Sequence, residues 1–214
     1  MGNNKIQVPV IGILKTYERL PQVLTKSCTL SRQASRWFIS FRFDVEQQES
    51  CQTSVLGVDL GLKALATPST GEVIPGAKPY KKYTAKLSRM QWLNRHKTIG
   101  SNNGKKAQLK IARQHGKIAN IRKDTLHELT TLLAKNHGTV VIEDLNVSDM
   151  MANHNLATSI ADMGFCEFRR QLTYKCQLYG SKLLAVDRWF PSSKTCSNCG
   201  IKKETLSWDE RVFE

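Results

Sequence analysis

Residues 54–76 read SVLGVDLGLKALATPSTGEVIPG, and residues 139–145 read TVVIEDL. In each stretch an apolar run ends on a carboxylate, Asp59 after VLGV and Glu143 after TVVI. The first reads as a strand closing at Asp59, a second strand, a Ser69-Thr70-Gly71 turn and a third strand, a three-stranded meander. The second is apolar throughout, as a strand covered on both faces would be. If it returns parallel beside the first after a long helical crossover, the order is β-β-β-α-β. Asp59 and Glu143 then meet at the C-terminal edge of one sheet. Two carboxylates brought so close repel unless a divalent cation lies between them, and Mg²⁺ prefers such oxygen ligands together with substrate phosphate. Two-metal phosphodiester cleavage uses that arrangement. Taken singly, each residue also reads as a solvated strand-end acid. Asp144 falls on the opposite face by strand alternation and reads as structural. A DLG after a strand also occurs in phosphate-holding sugar kinases and actin-like ATPases. Here Leu-Lys follows it and no second glycine-rich loop appears, which argues against that class.

Between these strands the pattern turns helical in two pieces, broken at 100–104. Leu87, Met90 and Leu93 mark the first piece, and Ile111, Ile118, Ile121, Leu129 and Leu132 the second. From Lys78 to Lys123 there are fourteen Lys and Arg and no Asp or Glu, whereas elsewhere eighteen basic and eighteen acidic residues cancel. The whole excess of +14 therefore sits on one expected hairpin. A mixed-charge solvated helix face does not look like this, but a surface facing phosphates does. Its candidate contacts are Lys81, Lys82, Lys86, Arg89, Arg95, Lys97, Lys105, Lys106, Lys110, Arg113, Lys117, Arg122 and Lys123, with Tyr80, Tyr83 and Trp92 available for stacking.

The first fifty residues read as strands, VPVIGILKTY, TKSCTLSR and RWFISFRFDVE, forming a small antiparallel sheet or half-barrel. Trp37, Ile39, Phe41 and Phe43 alternate with their neighbours in the last of these. After Glu143 come a loop rich in Asn, Ser and Met, a helix near 160–179 ending at Gly180, and the strand KLLAVDRWF. The six cysteines, 28, 51, 166, 176, 196 and 199, lack framework spacing. They read as four ordinary semi-buried thiols plus the pair Cys196-x-x-Cys199, a spacing that suits metal but provides two of the four ligands zinc takes. Cys166 and Cys176, ten residues apart on one expected helix, stand roughly 15 Å apart along its axis and cannot both reach one ion. No run is long and apolar enough for a membrane, and MGNNKIQVPVIG has no signal-peptide character, so a cytoplasmic setting without disulfides is expected. Oligomeric state is not legible.

GVDLGLKALAT, VIEDLNV and DRWFPSSKTCSNCG, in that order and spacing, resemble TnpB, the transposon-encoded OrfB-type RNA-guided endonuclease family related to compact CRISPR effectors. The resemblance implies an α/β fold: an RNase H-like, RuvC-type mixed sheet with a long helical-hairpin insertion at about 80–136. It implies a partial wedge-like β-barrel over 1–52, a nuclease domain over 53–190, and over 191–214 an incomplete zinc ribbon of the target-nucleic-acid-binding kind. Asp59 and Glu143 match the first two catalytic acids and Mg²⁺ ligands, and Cys196 and Cys199 match the first knuckle of a Zn²⁺ site. DNA and a guide RNA are the implied partners, with no membrane. The family's second cysteine pair and third acid would follow ETLSWDERVFE. Asp187 precedes the knuckle and Asp209 lies in the loop, so neither replaces that acid. The expectation is therefore a chain truncated at both ends and catalytically impaired, the alternative being a non-catalytic nucleic-acid-binding remnant or regulator.

Overall fold

The structure is a computed structural model that describes residues 4–20, 22, 26–47, 49, 52–191, 194–196 and 199–203. Residues 1–46 and 47–214 form separate units. In the first, VPVIGILKTY is not one strand. The backbone goes left-handed at Val10 (φ 70°) and Gly12 (φ 96°), folding β1 (Lys5–Val8) back on β2 (Gly12–Lys15). A second hairpin pairs β3 (Ser27–Gln33) with β4 (Arg36–Arg42), with Leu30 opposite Ile39. The two hairpins are separate two-stranded sheets, and the alternation of RWFISFRF produces pairing without a core: Trp37 is 68% exposed and rests under the Arg32 guanidinium.

The second unit is built on β5 (Val55–Leu60), β6 (Ala66–Pro68), β7 (Thr139–Glu143) and β8 (Lys182–Val186), in spatial order β6-β5-β7-β8. β6 runs antiparallel to β5, while β7 lies parallel to both β5 and β8, as the crossover argument required. The third meander strand contracts to one bridge, Ala66 with Ile74. Pro75 follows immediately and has no N–H to continue a ladder.

The crossover is the helical hairpin α1 (Pro79–Arg95) and α2 (Asn102–Asn136). The break falls earlier than the sequence suggested, because Ser101 caps α2 by accepting from the Gly104 N–H, so 102–104 are already helical. The Asn/Ser/Met-rich loop holds a short helix, α3 (Val147–Ala152). The single helix expected near 160–179 is two, α4 (His154–Met163) and α5 (Phe165–Tyr179). Gly164 separates them at φ 76°, where a Cβ would stand 3.1 Å from Arg122 and Leu126 side-chain atoms. Gly180 ends α5 as expected, at φ 72°.

One face of the sheet, Leu56, Val58, Val140 and Ile142, is buried against Leu126, Leu129 and Leu133 of α2 and Phe168, Leu172 and Cys176 of α5. Fully burying a side chain such as Phe168 contributes on the order of 2–3 kcal/mol. Leu93 and Leu132, expected on the apolar stripe, are half exposed; Ile118 and Leu129 are buried as expected, and Leu126 and Leu133 complete the buried stripe of α2. The opposite face of the sheet carries the intervening residues, among them Asp59 and Glu143. No helix among the described residues is long and apolar enough to cross a membrane.

Candidate functional site

Val58 of β5 and Ile142 of β7 are register partners, and both side chains point into the core. The next residue on each strand is a carboxylate. Alternation turns Asp59 and Glu143 to the same outward face, on neighbouring parallel strands that lie about 4.8 Å apart. Asp59 is exposed and Glu143 half-buried. Each acid thus stands one residue beyond the register pair Val58–Ile142, on neighbouring strands. Two hard oxygen donors on an open edge fit Mg²⁺, which keeps several waters and takes substrate phosphate for its remaining positions. Among the described residues no cluster of three or more His, Cys, Asp or Glu side chains forms.

Asp144 points the other way and is ion-paired. It accepts from Arg169 of α5 and, at 2.9 Å, from Arg188 just beyond β8. The hydrogen bonds from Arg188 and Arg169 hold its carboxyl below the usual carboxylate range. Asp187, set aside on sequence grounds, shapes a turn by accepting from the Trp189 N–H at 2.7 Å.

Of the thirteen basic residues singled out on the hairpin, twelve are exposed along α1, α2 and their connection. Arg122 is the correction. Its guanidinium turns inward to Asp162, donating from Nε to the carbonyl and from an Nη to the carboxylate, each at 3.1 Å. Asp162, 4% exposed, also accepts from the backbone N–H groups of Tyr80 and Lys81 at 2.9 and 3.0 Å. It therefore caps the N-terminus of α1 from α4, a role the local cap Lys78, itself left-handed, does not fill. Nothing in the local sequence marks Asp162, since the helix it caps lies some eighty residues earlier. Of the stacking candidates, Trp92 is 53% exposed with Arg95 over its ring, while Tyr83 lies under Lys82 and Lys117.

Cys196 and Cys199 occupy a tight turn: the Gly200 N–H donates to the Cys196 carbonyl, the Cys196 N–H to Ile201, and Thr195 bridges Lys202. The turn presents two soft donors, and among the described residues no group of three or more His, Cys, Asp or Glu side chains that could hold a metal gathers there. Cys166 and Cys176 both lie on α5, but one is exposed and the other buried. Cys28 is exposed too, so of the thiols expected to be semi-buried only Cys176 lies inside the protein among the described residues. Cys51, like Asp209, lies outside them.

The chain matches the family model OrfB_IS605, described as "Probable transposase", over residues 38–154, and that of the Cas12f1-like TNB domain over 165–214. A "Putative RNA-guided DNA endonuclease" of Streptomyces pristinaespiralis is 42% identical over 86% of this chain and 46% of its own length. The "Putative RNA-guided DNA endonuclease InsQ" of Escherichia coli K12 is 37% identical over 96% of this chain and 56% of its own. The chain thus spans about half the length of these curated relatives. A structure described as a cryo-EM structure of the Cas12f1-sgRNA-target DNA complex is similar in fold, with a TM-score of 0.54 at 19% identity, over 80% of this chain and 36% of that one. Over more than half its length the sequence fits one family model, and the chain belongs to the OrfB/TnpB-type family of transposon-associated proteins that includes relatives named as RNA-guided DNA endonucleases.

Proposed function

We propose that residues 53–190 form a RuvC-type, RNase H-like nuclease core, that Asp59 and Glu143 hold Mg²⁺ there, and that the α1–α2 hairpin binds nucleic-acid phosphates. By analogy with its relatives, the chain acts on DNA with a guide RNA, in the cytoplasm. The observation that carries this reading is the parallel β5–β7 register, which sets two carboxylates side by side on the open face of a sheet. A divalent ion bound at such an edge would neutralise charge on the scissile phosphate and activate a water. Asp59 and Glu143 would hold that ion, and the exposed lysines and arginines of the hairpin draw the polyanion toward the sheet. Cys196 and Cys199 are read as the first half of a zinc ribbon.

Manganese titration followed by electron paramagnetic resonance tests the metal edge: wild type should bind the ion, and Asp59→Asn or Glu143→Gln should weaken binding at least tenfold. Equal binding by all three would remove the reading. A second reading, nucleic-acid binding without cleavage, is favoured by the convergence of two rather than three carboxylates among the described residues. We accordingly expect residues 1–214 by themselves to give no cleavage of labelled single-stranded DNA in Mg²⁺ above that of Asp59→Ala. Nicking that disappears in Asp59→Ala would show that two carboxylates suffice. Elemental analysis of the same polypeptide should find well below one zinc per chain; one tightly held zinc would mean that another ligand is recruited.

A further inference from the structure

The two acids of the sheet edge are held differently. Asp59 lies within its ladder, opposite Thr67 of β6 and with Leu60 paired to Ala66 beyond it. Glu143 is the last residue of β7: the pairing with β5 has ended at Ile142, and Val186 of β8 is its final rung. The chain then turns away, the Leu145 N–H donating to the Glu143 carbonyl at 3.0 Å. Strand ends open more readily than strand centres, so the aim of Glu143 depends on what holds the next residue. That residue is Asp144. Its N–H donates to the Val186 carbonyl at 3.0 Å, carrying the β7–β8 contact one residue past the strand. One carboxylate oxygen accepts from Arg169 of α5 and the other, at 2.9 Å, from Arg188 beyond β8, 25 and 44 residues along the chain. Asp144 therefore ties the end of β7 to a helix and to the segment that follows the edge strand.

Charge is not what the two arginines supply. Arg170 is engaged by Glu167 through two 2.7 Å bonds, and the other charged groups lining this corner balance, Glu143 and Asp144 against Arg169 and Arg188. Beside a cation site, moreover, two guanidiniums oppose binding by Coulomb repulsion. What they do supply is geometry, since a planar guanidinium holds a carboxylate in a fixed direction. We propose that Asp144 is a positioning residue for the metal edge: clamped by Arg169 and Arg188, it fixes the end of β7 and so keeps Glu143 on the face that it shares with Asp59. Alternation turns Asp144 away from Glu143, so the clamp acts through the backbone and takes no place in the ion's shell. Groups behind a metal ligand tune affinity by orienting it. The role rests on the reading of Asp59 and Glu143 as ligands of a divalent ion.

Manganese titration of the full chain, followed by electron paramagnetic resonance, separates positioning from electrostatics. Arg169→Gln with Arg188→Gln removes two positive charges from beside the site, so Coulomb's law alone predicts tighter binding. Loss of the clamp predicts weaker binding by about fivefold, somewhat less than removal of a group bonded directly to a ligand costs. Equal or tighter binding by this double variant, with wild type binding the ion, would remove the positioning role and leave the metal reading standing. No binding by wild type would remove the metal reading and this role with it. Hydrogen exchange on wild type does not depend on how any variant folds. Coupling between two sites is reciprocal, so an ion that needs the clamp must also steady it. The Trp189 and Phe190 amides, bonded to Asp187 in the turn that carries Arg188, should exchange several-fold more slowly when Mg²⁺ is added. Slowing confined to the peptides bearing Asp59 and Glu143 would overturn the proposal.

Discussion

The β3–β4 hairpin and the β5–β7 pair are built from similar sequence, short apolar strands with β-branched and aromatic residues, yet they end in different physical states. In residues 1–46 only Val8 is buried among the described residues, and Trp37 and Phe38 remain 68% and 44% exposed. In residues 47–214 the same kind of strand is covered on one face by α2 and α5, and Val140, Phe168 and Leu172 lose all contact with water. Strand patterning specifies pairing, but stability comes from what lies over the face. Ion pairs differ in the same way. Lys26 and Asp44 meet with most of their surface in water, whereas Asp162 meets Arg122 almost fully buried with two backbone N–H groups besides.

The largest test of this contrast is truncation of the core. Phe168→Ala should destabilise residues 47–214 by about 3–5 kcal/mol in urea unfolding, and Ile39→Ala in the first unit by under about 1.5 kcal/mol, since that side chain is only half-buried. Equal losses would break the comparison. Next, Asp162→Ala removes a helix cap and leaves Arg122 unpaired, an expected cost of about 2–4 kcal/mol. Asp44→Ala should cost no more than about 0.5 kcal/mol, and thermal melts of the two variants measure the difference.

A smaller effect concerns binding. If about six phosphates are neutralised, log affinity for nucleic acid falls with log salt at a slope of about −4 to −5. Replacing Lys105, Lys106, Lys110 and Lys117 by Gln should flatten that slope clearly, whereas Arg122→Gln should leave it unchanged because that charge already belongs to Asp162. A wild-type slope in the lysine variant would remove the hairpin as the binding surface. The smallest effect is a pH dependence. The Arg170 guanidinium holds the Glu167 carboxyl down at about 2. A carboxylate depressed on folding stabilises the protein above its unfolded value near 4.5, and that contribution fades as pH falls from about 4.5 toward 2. The stability difference between wild type and Glu167→Gln should therefore be flat above pH 5 and shrink below it. A difference constant down to pH 2 would place the stabilisation elsewhere.

The sequence by itself determined the parallel return of TVVIEDL beside VLGVDL, the adjacency of Asp59 and Glu143, the basic hairpin between them and the family. The first three follow from apolar runs, alternation, turn residues and a charge imbalance confined to one segment, and the family from the resemblance of three ordered motifs. The tertiary structure alone decided which faces are covered. Whether Leu132 or Leu133 is inside depends on where α5 packs. The split at Gly164 depends on Arg122 and Leu126 pressing against that position. Asp162 became a helix cap only when α4 met the start of α1. Lys175 shows the same logic: exposed in any local reading, it lies buried with its Nζ donating to the His127 carbonyl and to Thr130 and Thr131 at 2.7–2.8 Å, and burial lowers its pKa. Each of these depends on contacts between residues more than thirty positions apart, and local propensity does not encode such contacts.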